Sequence, residues 1–103
     1  MEFNTTLWQD FNIANKFGIS AIEDTYKKAY SFVKDNYKDF TELVVVLNWQ
    51  CWNLYEKHEK SNDSNFLALS NKYSELFYQA QKKFYDVWGK NQEACKYFFT
   101  MTD

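Results

Sequence analysis

Apolar residues recur at three- and four-residue steps along most of this 103-residue chain, and no proline interrupts them. That rhythm puts them on one face of an α-helix and constrains the fold before any motif is considered. Ile22, Tyr26, Ala29, Tyr30, Val33 and Tyr37 form a stripe about four turns long, opened by Ser20 and Glu23 as a capping box. A third predicted helix runs from about Thr41 to Lys60, with Asp39 and Glu42 as its cap and Leu43, Leu47, Cys51, Leu54, Tyr55 and His58 at helical spacing. Val44, Val45 and Val46 are β-branched and taken alone suit a strand. The longer pattern overrides them.

KHEKSNDSN, residues 57–65, gathers Ser, Asn and Asp and reads as the clearest loop. From Asp63 or Ser64 a fourth helix carries Phe66, Leu69, Tyr73, Leu76, Phe77, Ala80, Phe84, Val87 and Trp88, with Gly89 as its stop. Two shorter helices complete the pattern. Thr6 and Gln9 box the start of one from Leu7 to about Lys16, which ends at Gly18, and Ala94, Cys95 and Phe98 mark the other. Short connections between long amphipathic helices imply antiparallel neighbours. The expected fold is therefore all-α, one helical domain over residues 1–103. It is a compact antiparallel bundle of three long helices with short N- and C-terminal helices packed on it.

A chain of this size buries somewhat under about 70% of its unfolded surface, enough for a core without metal or disulfide staples. Cys51 and Cys95 are far apart and belong to no CxxC pair, so both read as small apolar residues in a reducing compartment. The opening MEFNTTLWQD lacks a basic region followed by an apolar stretch, so no signal peptide is expected. The longest apolar run, Leu43 to Leu47, is far short of the roughly 20 residues a membrane helix needs. Formal net charge is −2, and all twelve cations are Lys. Lysine lacks the planar fork that reads phosphates and guanine edges bidentately, which argues against sequence-specific DNA recognition.

Phe, Tyr and Trp make up 21% of the residues, enough to fill a helical core and leave rings for a second surface. On the third helix, Val45, Trp49 and Trp52 form a strip off the main apolar face. A helix apolar on two sides is usually the buried centre of its domain, so cover by a terminal helix is expected for the Trp pair. The alternative is a partner-binding surface, since Trp and Tyr are favoured anchors. Tyr78 and Tyr85 lie off the stripe of the fourth helix, and contact with a partner or a second copy is expected of them. Val45, Trp49, Trp52, Tyr78 and Tyr85 are thus the candidate partner contacts. Lys27, Lys34 and Lys38 line the second helix, and Lys72, Lys83 and Lys90 the fourth. They read as solvated faces, or else as a track for a nucleic-acid backbone whose bases stack on nearby rings.

Enzyme signatures are weak. His58 is the one histidine, and a small enzyme centred on it is the third reading. Cys51 lies seven residues away, roughly 10 Å along a helix, too far for a direct Cys–His bond. A capping or core histidine fits better. YEKHE has Tyr55 where a di-iron bundle needs Glu, no HExxH occurs, and no Gly-rich phosphate loop exists. No metal and no cofactor are expected.

FGISAIEDTYKKAY, YKDFTELVVVLNWQCWNLYE and the terminal YFFTMTD resemble a group of short proteins of bacteriophages and related elements of gut bacteria. Abundant Asn, Lys, Phe and Tyr with little Gly fit AT-rich coding. The resemblance implies a viral accessory protein, a class that includes stoichiometric inhibitors of host defences such as anti-CRISPR proteins. It implies location in the cytoplasm of the bacterial host and brings no assigned active-site residues. The leading expectation is a non-catalytic protein that binds and blocks a host protein, with a nucleic-acid-processing defence effector as the expected class. The alternative is a nucleic-acid or nucleotide binder acting as a homo-oligomeric sponge.

Overall fold

The computed structural model describes residues 3–102, with side chains from residue 6 onward. Its described secondary structure is entirely helical: α1 Phe3–Phe17, α2 Ile19–Val33, α3 Tyr37–Ser61, α4 Ser64–Trp88 and α5 Gln92–Thr102. All five contribute to one apolar core, from Leu7, Phe11 and Ala14 of α1 to Ala94 and Phe98 of α5.

Two helices, α3 and α4, reach 25 residues, whereas α2 stops at 15. The predicted second helix overruns the true one because Tyr37, read as its last stripe residue, opens α3. Asn36 causes the change. Its backbone is extended, and its Oδ1 accepts the amides of Lys38 at 3.0 Å and Asp39 at 3.2 Å, capping α3 ahead of Asp39. Asp39 itself falls in the first turn.

Two other predicted caps also move. Thr6 lies inside α1, and Ser20 lies inside α2. A single residue, Gly18, joins these helices: its amide closes α1 on the Ala14 carbonyl and its own carbonyl accepts from Ile22. Its φ of 110° is a conformation that a residue with a Cβ rarely adopts. Gly89 ends α4 as expected, but with φ −59° rather than as a left-handed cap. Glycine is needed there by proximity, because a Cβ would collide with the carbonyl oxygen of Tyr85.

A tight turn links α3 to α4. Asn62 adopts the left-handed conformation and donates its amide to the His58 carbonyl, while the Asp63 carboxylate caps α4 through the Asn65 amide. The two helices then run antiparallel: Phe40 near the start of α3 meets Phe84 and Trp88 near the end of α4, and Cys51 lies beside Ser70. Helix α3 packs against each of the other four. Leu43 to Leu47 are consequently all buried, five successive residues that at about 100° each sweep the whole helix circumference. The valine run is helical because it is enclosed on every side.

Candidate functional site

That enclosure opens on one side two residues further along α3. Trp49 is 50% exposed, Trp52 64% and Tyr55 41%. Trp8 of α1 meets Trp49 edge to face at 6.3 Å between ring centroids, and Trp52 meets Tyr55 in the same way at 6.3 Å. The result is a ridge of rings on the outer face of α3, flanked by α1 at one end. The terminal helix expected to cover the strip is present but falls short. Its Trp8 touches one edge of Trp49, and Trp52 stays open.

Beneath the ridge lies a polar network that fixes α1 in place. Gln50, the residue after Trp49, is fully buried. Its Nε2 donates to Asn12 Oδ1 at 3.0 Å and lies 3.5 Å from the Trp8 carbonyl, and its Oε1 accepts from Asn15 Nδ2 at 3.0 Å. The hydroxyl of buried Tyr73 on α4 donates to Asn15 Oδ1, with the Phe11 carbonyl 3.4 Å away. Desolvation at that position pushes the Tyr73 hydroxyl pKa far up. Among the described residues no buried side-chain nitrogen or oxygen lacks a hydrogen-bond partner. Three helices are thus registered by amide-to-amide and hydroxyl-to-amide bonds, and Trp8 is set beside Trp49 as a consequence.

Of the five expected contacts, Trp49, Trp52 and Tyr78 are exposed, Tyr78 at 65%. Val45 is interior and is removed from the surface set. Tyr85 is half-buried, its ring against Phe84 and against Phe98 and Phe99 of α5. Burial raises its hydroxyl pKa. Tyr78 belongs to α4 and touches Phe77 at 5.3 Å.

Two features of this surface were missed in the sequence. The spacing assigns Tyr55 to the core face, although it stands three residues after Trp52, about 60° away in helical angle, where it extends the strip. The other is a second apolar surface between α1 and α2, a groove of about 570 Å³ where Ile13, Phe17 and Phe32 are exposed beside Asp10, Asp24 and Lys28. Ile13 and Phe17 stand four residues apart and off the Leu7–Phe11–Ala14 stripe, which was the available signal.

The six lysines differ in their surroundings. Lys72 is only 10% exposed and is claimed by Glu23 and Glu75, with Glu23 held at a lowered pKa chiefly by its hydrogen bond from Lys72. Lys38 lies 5.8 Å above the Tyr97 ring. Lys34 and Lys90 are solvated. Lys27 and Lys83 alone converge, on a recess between α2 and α4 with Tyr26, Tyr30 and Gln79.

His58 serves the turn: its Nδ1 pairs with the Asp63 carbonyl at 2.9 Å, and its ring backs Tyr55. Cys51 pairs with Ser70, whose hydroxyl donates to the Cys51 carbonyl at 2.8 Å, and Cys95 donates to the Trp88 carbonyl. Neither thiol is bonded to the imidazole. Among the described residues no group of three His, Cys, Asp or Glu side chains is gathered as metal ligands, and no helix is long and apolar enough to cross a membrane.

Comparison with protein-family models, curated proteins and solved structures finds no match to this chain.

Proposed function

We propose that this protein acts without catalysis, by binding a partner protein through the ring ridge of α3. The observation that carries this reading is the exposure of Trp49 and Trp52, at 50% and 64%, on a helix whose residues Leu43 to Leu47 are all buried. The core is complete without these two rings. Leaving two indoles in water costs apolar hydration at about 25 cal/mol per Å², a cost that a partner surface removes on binding. Trp and Tyr are also the residues that most often dominate binding energy. The buried Gln50 network and Trp8 hold the ridge rigid, which lowers the ordering cost of association.

The likeness to phage-associated proteins makes the partner a bacterial host protein, with nucleic-acid-processing defence effectors the first class to test. The protein then works in the host cytoplasm as a stoichiometric inhibitor, one antiparallel helical bundle presenting one face. The test is capture from nuclease-treated host lysate with the wild type and with a Trp49→Ala/Trp52→Ala variant. The captured protein is then purified, and its affinity for both forms is measured. A partner retained by the wild type and lost by the variant supports the reading. Equal affinity for both forms overturns it.

A further inference from the structure

We infer that the recess between α2 and α4 is a binding site for a nucleotide unit, separate from the α3 ridge and sharing none of its residues. The recess has a volume of about 520 Å³ and is lined by Tyr26, Lys27 and Tyr30 of α2 and by Gln79 and Lys83 of α4. That volume falls within the range of roughly 300–1,000 Å³ in which small-molecule sites occur.

Charge is the first argument. Two ammonium groups from different helices line one recess, and no carboxylate is among its lining residues. The nearest acids along the same helices, Asp24 and Asp86, each stand three residues from Lys27 and Lys83 and outside the recess, and Glu23 and Glu75 are engaged by Lys72. Lys27 and Lys83 make no ion pair within 4 Å among the described residues. An anion therefore completes the site, and lysine serves phosphate as a point charge.

The rings supply the second argument. Tyr26 and Tyr30 lie 6.1 Å apart with their planes at 42°, both half-buried. Tyr30 is braced edge to face by Phe40 of the core at 5.7 Å, and desolvation raises the Tyr26 pKa to about 12, so the Tyr26 hydroxyl stays neutral at physiological pH. Such braced rings offer a stacking platform that tolerates any base. Gln79 donates its Nε2 to Glu75 at 3.3 Å, and its Oε1 is left to accept from the exocyclic amine of a base. Phosphate charge, a flat ring and a polar edge in one ligand describe a nucleotide, free or as part of a single strand.

The test is a titration of the ¹⁵N-labelled full chain with AMP, adenosine and a single-stranded deoxyadenosine decamer. Amide shifts should concentrate at residues 26–30 and 79–83, with AMP or the decamer binding at least tenfold more tightly than adenosine. The Lys27→Gln/Lys83→Gln variant should lose at least tenfold in affinity while keeping its circular dichroism. The Trp49→Ala/Trp52→Ala variant should bind as the wild type does, which separates this site from the ridge. Binding by AMP assigns the site to free nucleotides, and binding by the decamer alone assigns it to a strand. The inference is overturned if neither phosphate-bearing ligand shifts these amides at millimolar concentration, if adenosine binds as tightly, or if the lysine variant binds undiminished.

Discussion

Asn15 of α1 donates its side-chain amide to Oε1 of Gln50 at the centre of α3, a 3.0 Å bond between residues 35 apart in the chain. It ties the one fully buried glutamine to the helix that carries Trp8, and through Tyr73 it reaches α4 as well. A core closed by leucines alone would let α1 slide along α3. Directional bonds forbid that, because a shifted register strands buried amides that cost roughly 1–3 kcal/mol each.

Gln50→Leu should therefore destabilise the fold by about 1–3 kcal/mol in urea denaturation, although leucine is apolar and of similar size. The change leaves Asn15 Nδ2 without its acceptor and frees Asn12. The accompanying signature is faster amide exchange in α1 than in α4. A neutral or stabilising outcome would show that packing alone sets the register.

Alkaline lability follows from two tyrosines. Burial raises the Tyr26 pKa to about 12 and the Tyr73 pKa further, whereas both titrate near 10 when unfolded. A raised folded-state pKa means that the unfolded chain releases these protons first. Their contribution is fully present below about pH 10 and is lost as pH climbs from there through the folded values. Urea midpoints should be flat in this respect from pH 7 to 9 and fall above 10. Tyr73→Phe should flatten part of that fall while lowering stability at pH 7 by about 0.5–1.5 kcal/mol, the net worth of its hydrogen bond.

Gly18 supplies the whole connection between α1 and α2, with φ at 110° and ψ at −170°. Gly18→Ala meets no atom within 4 Å, so its cost is purely one of backbone conformation, about 1–3 kcal/mol. Thermal unfolding checks it. A melting temperature equal to that of the wild type would mean that the helix–helix angle adjusts freely.

His58→Ala removes the imidazole bond to the Asp63 carbonyl at the α3–α4 turn. Stability should fall by about 0.5–1.5 kcal/mol, and exchange of the Asn62 amide, which donates to the His58 carbonyl, should accelerate. Unchanged exchange at Asn62 would remove His58 from the turn.

The helical periodicity was legible because it depends on local spacing: the stripe from Phe66 to Trp88 became α4 with the predicted Asp63 cap and Gly89 stop. Caps failed where two polar residues competed. Asn36 won over Asp39 by adopting the extended backbone that a capping residue needs, a choice made by the preceding turn from Val33. The site was less legible still. Exposure of Trp49 and Trp52 depends on where α1 ends its cover of α3, a tertiary property that no helical wheel carries. Gln50 stands seven residues after Leu43 and four before Leu54, on the core face of α3, so its burial was legible, whereas its partners Asn12 and Asn15 are brought to it only by the packing of α1.

Val45 and the Trp pair, one strip in the sequence, should separate sharply on mutation. Val45 is 5% exposed within the most enclosed stretch of α3, so Val45→Ala should cost roughly 1.5–3 kcal/mol through lost burial and the cavity left behind. Trp49→Ala and Trp52→Ala remove rings at least half in water, and each should cost about 1 kcal/mol or less, Trp49 the more because it loses its edge contact with Trp8. Buried tryptophans truncated in the same way cost about 3–5 kcal/mol. Binding should show the reverse order: each Trp variant should weaken the partner complex by about 2 kcal/mol or more, and Val45→Ala only in proportion to the fraction unfolded. Chemical denaturation of the three variants, paired with their affinities for the captured partner, decides the matter. A Trp52→Ala protein destabilised as severely as Val45→Ala would place that ring in the core and withdraw the ridge as a docking surface.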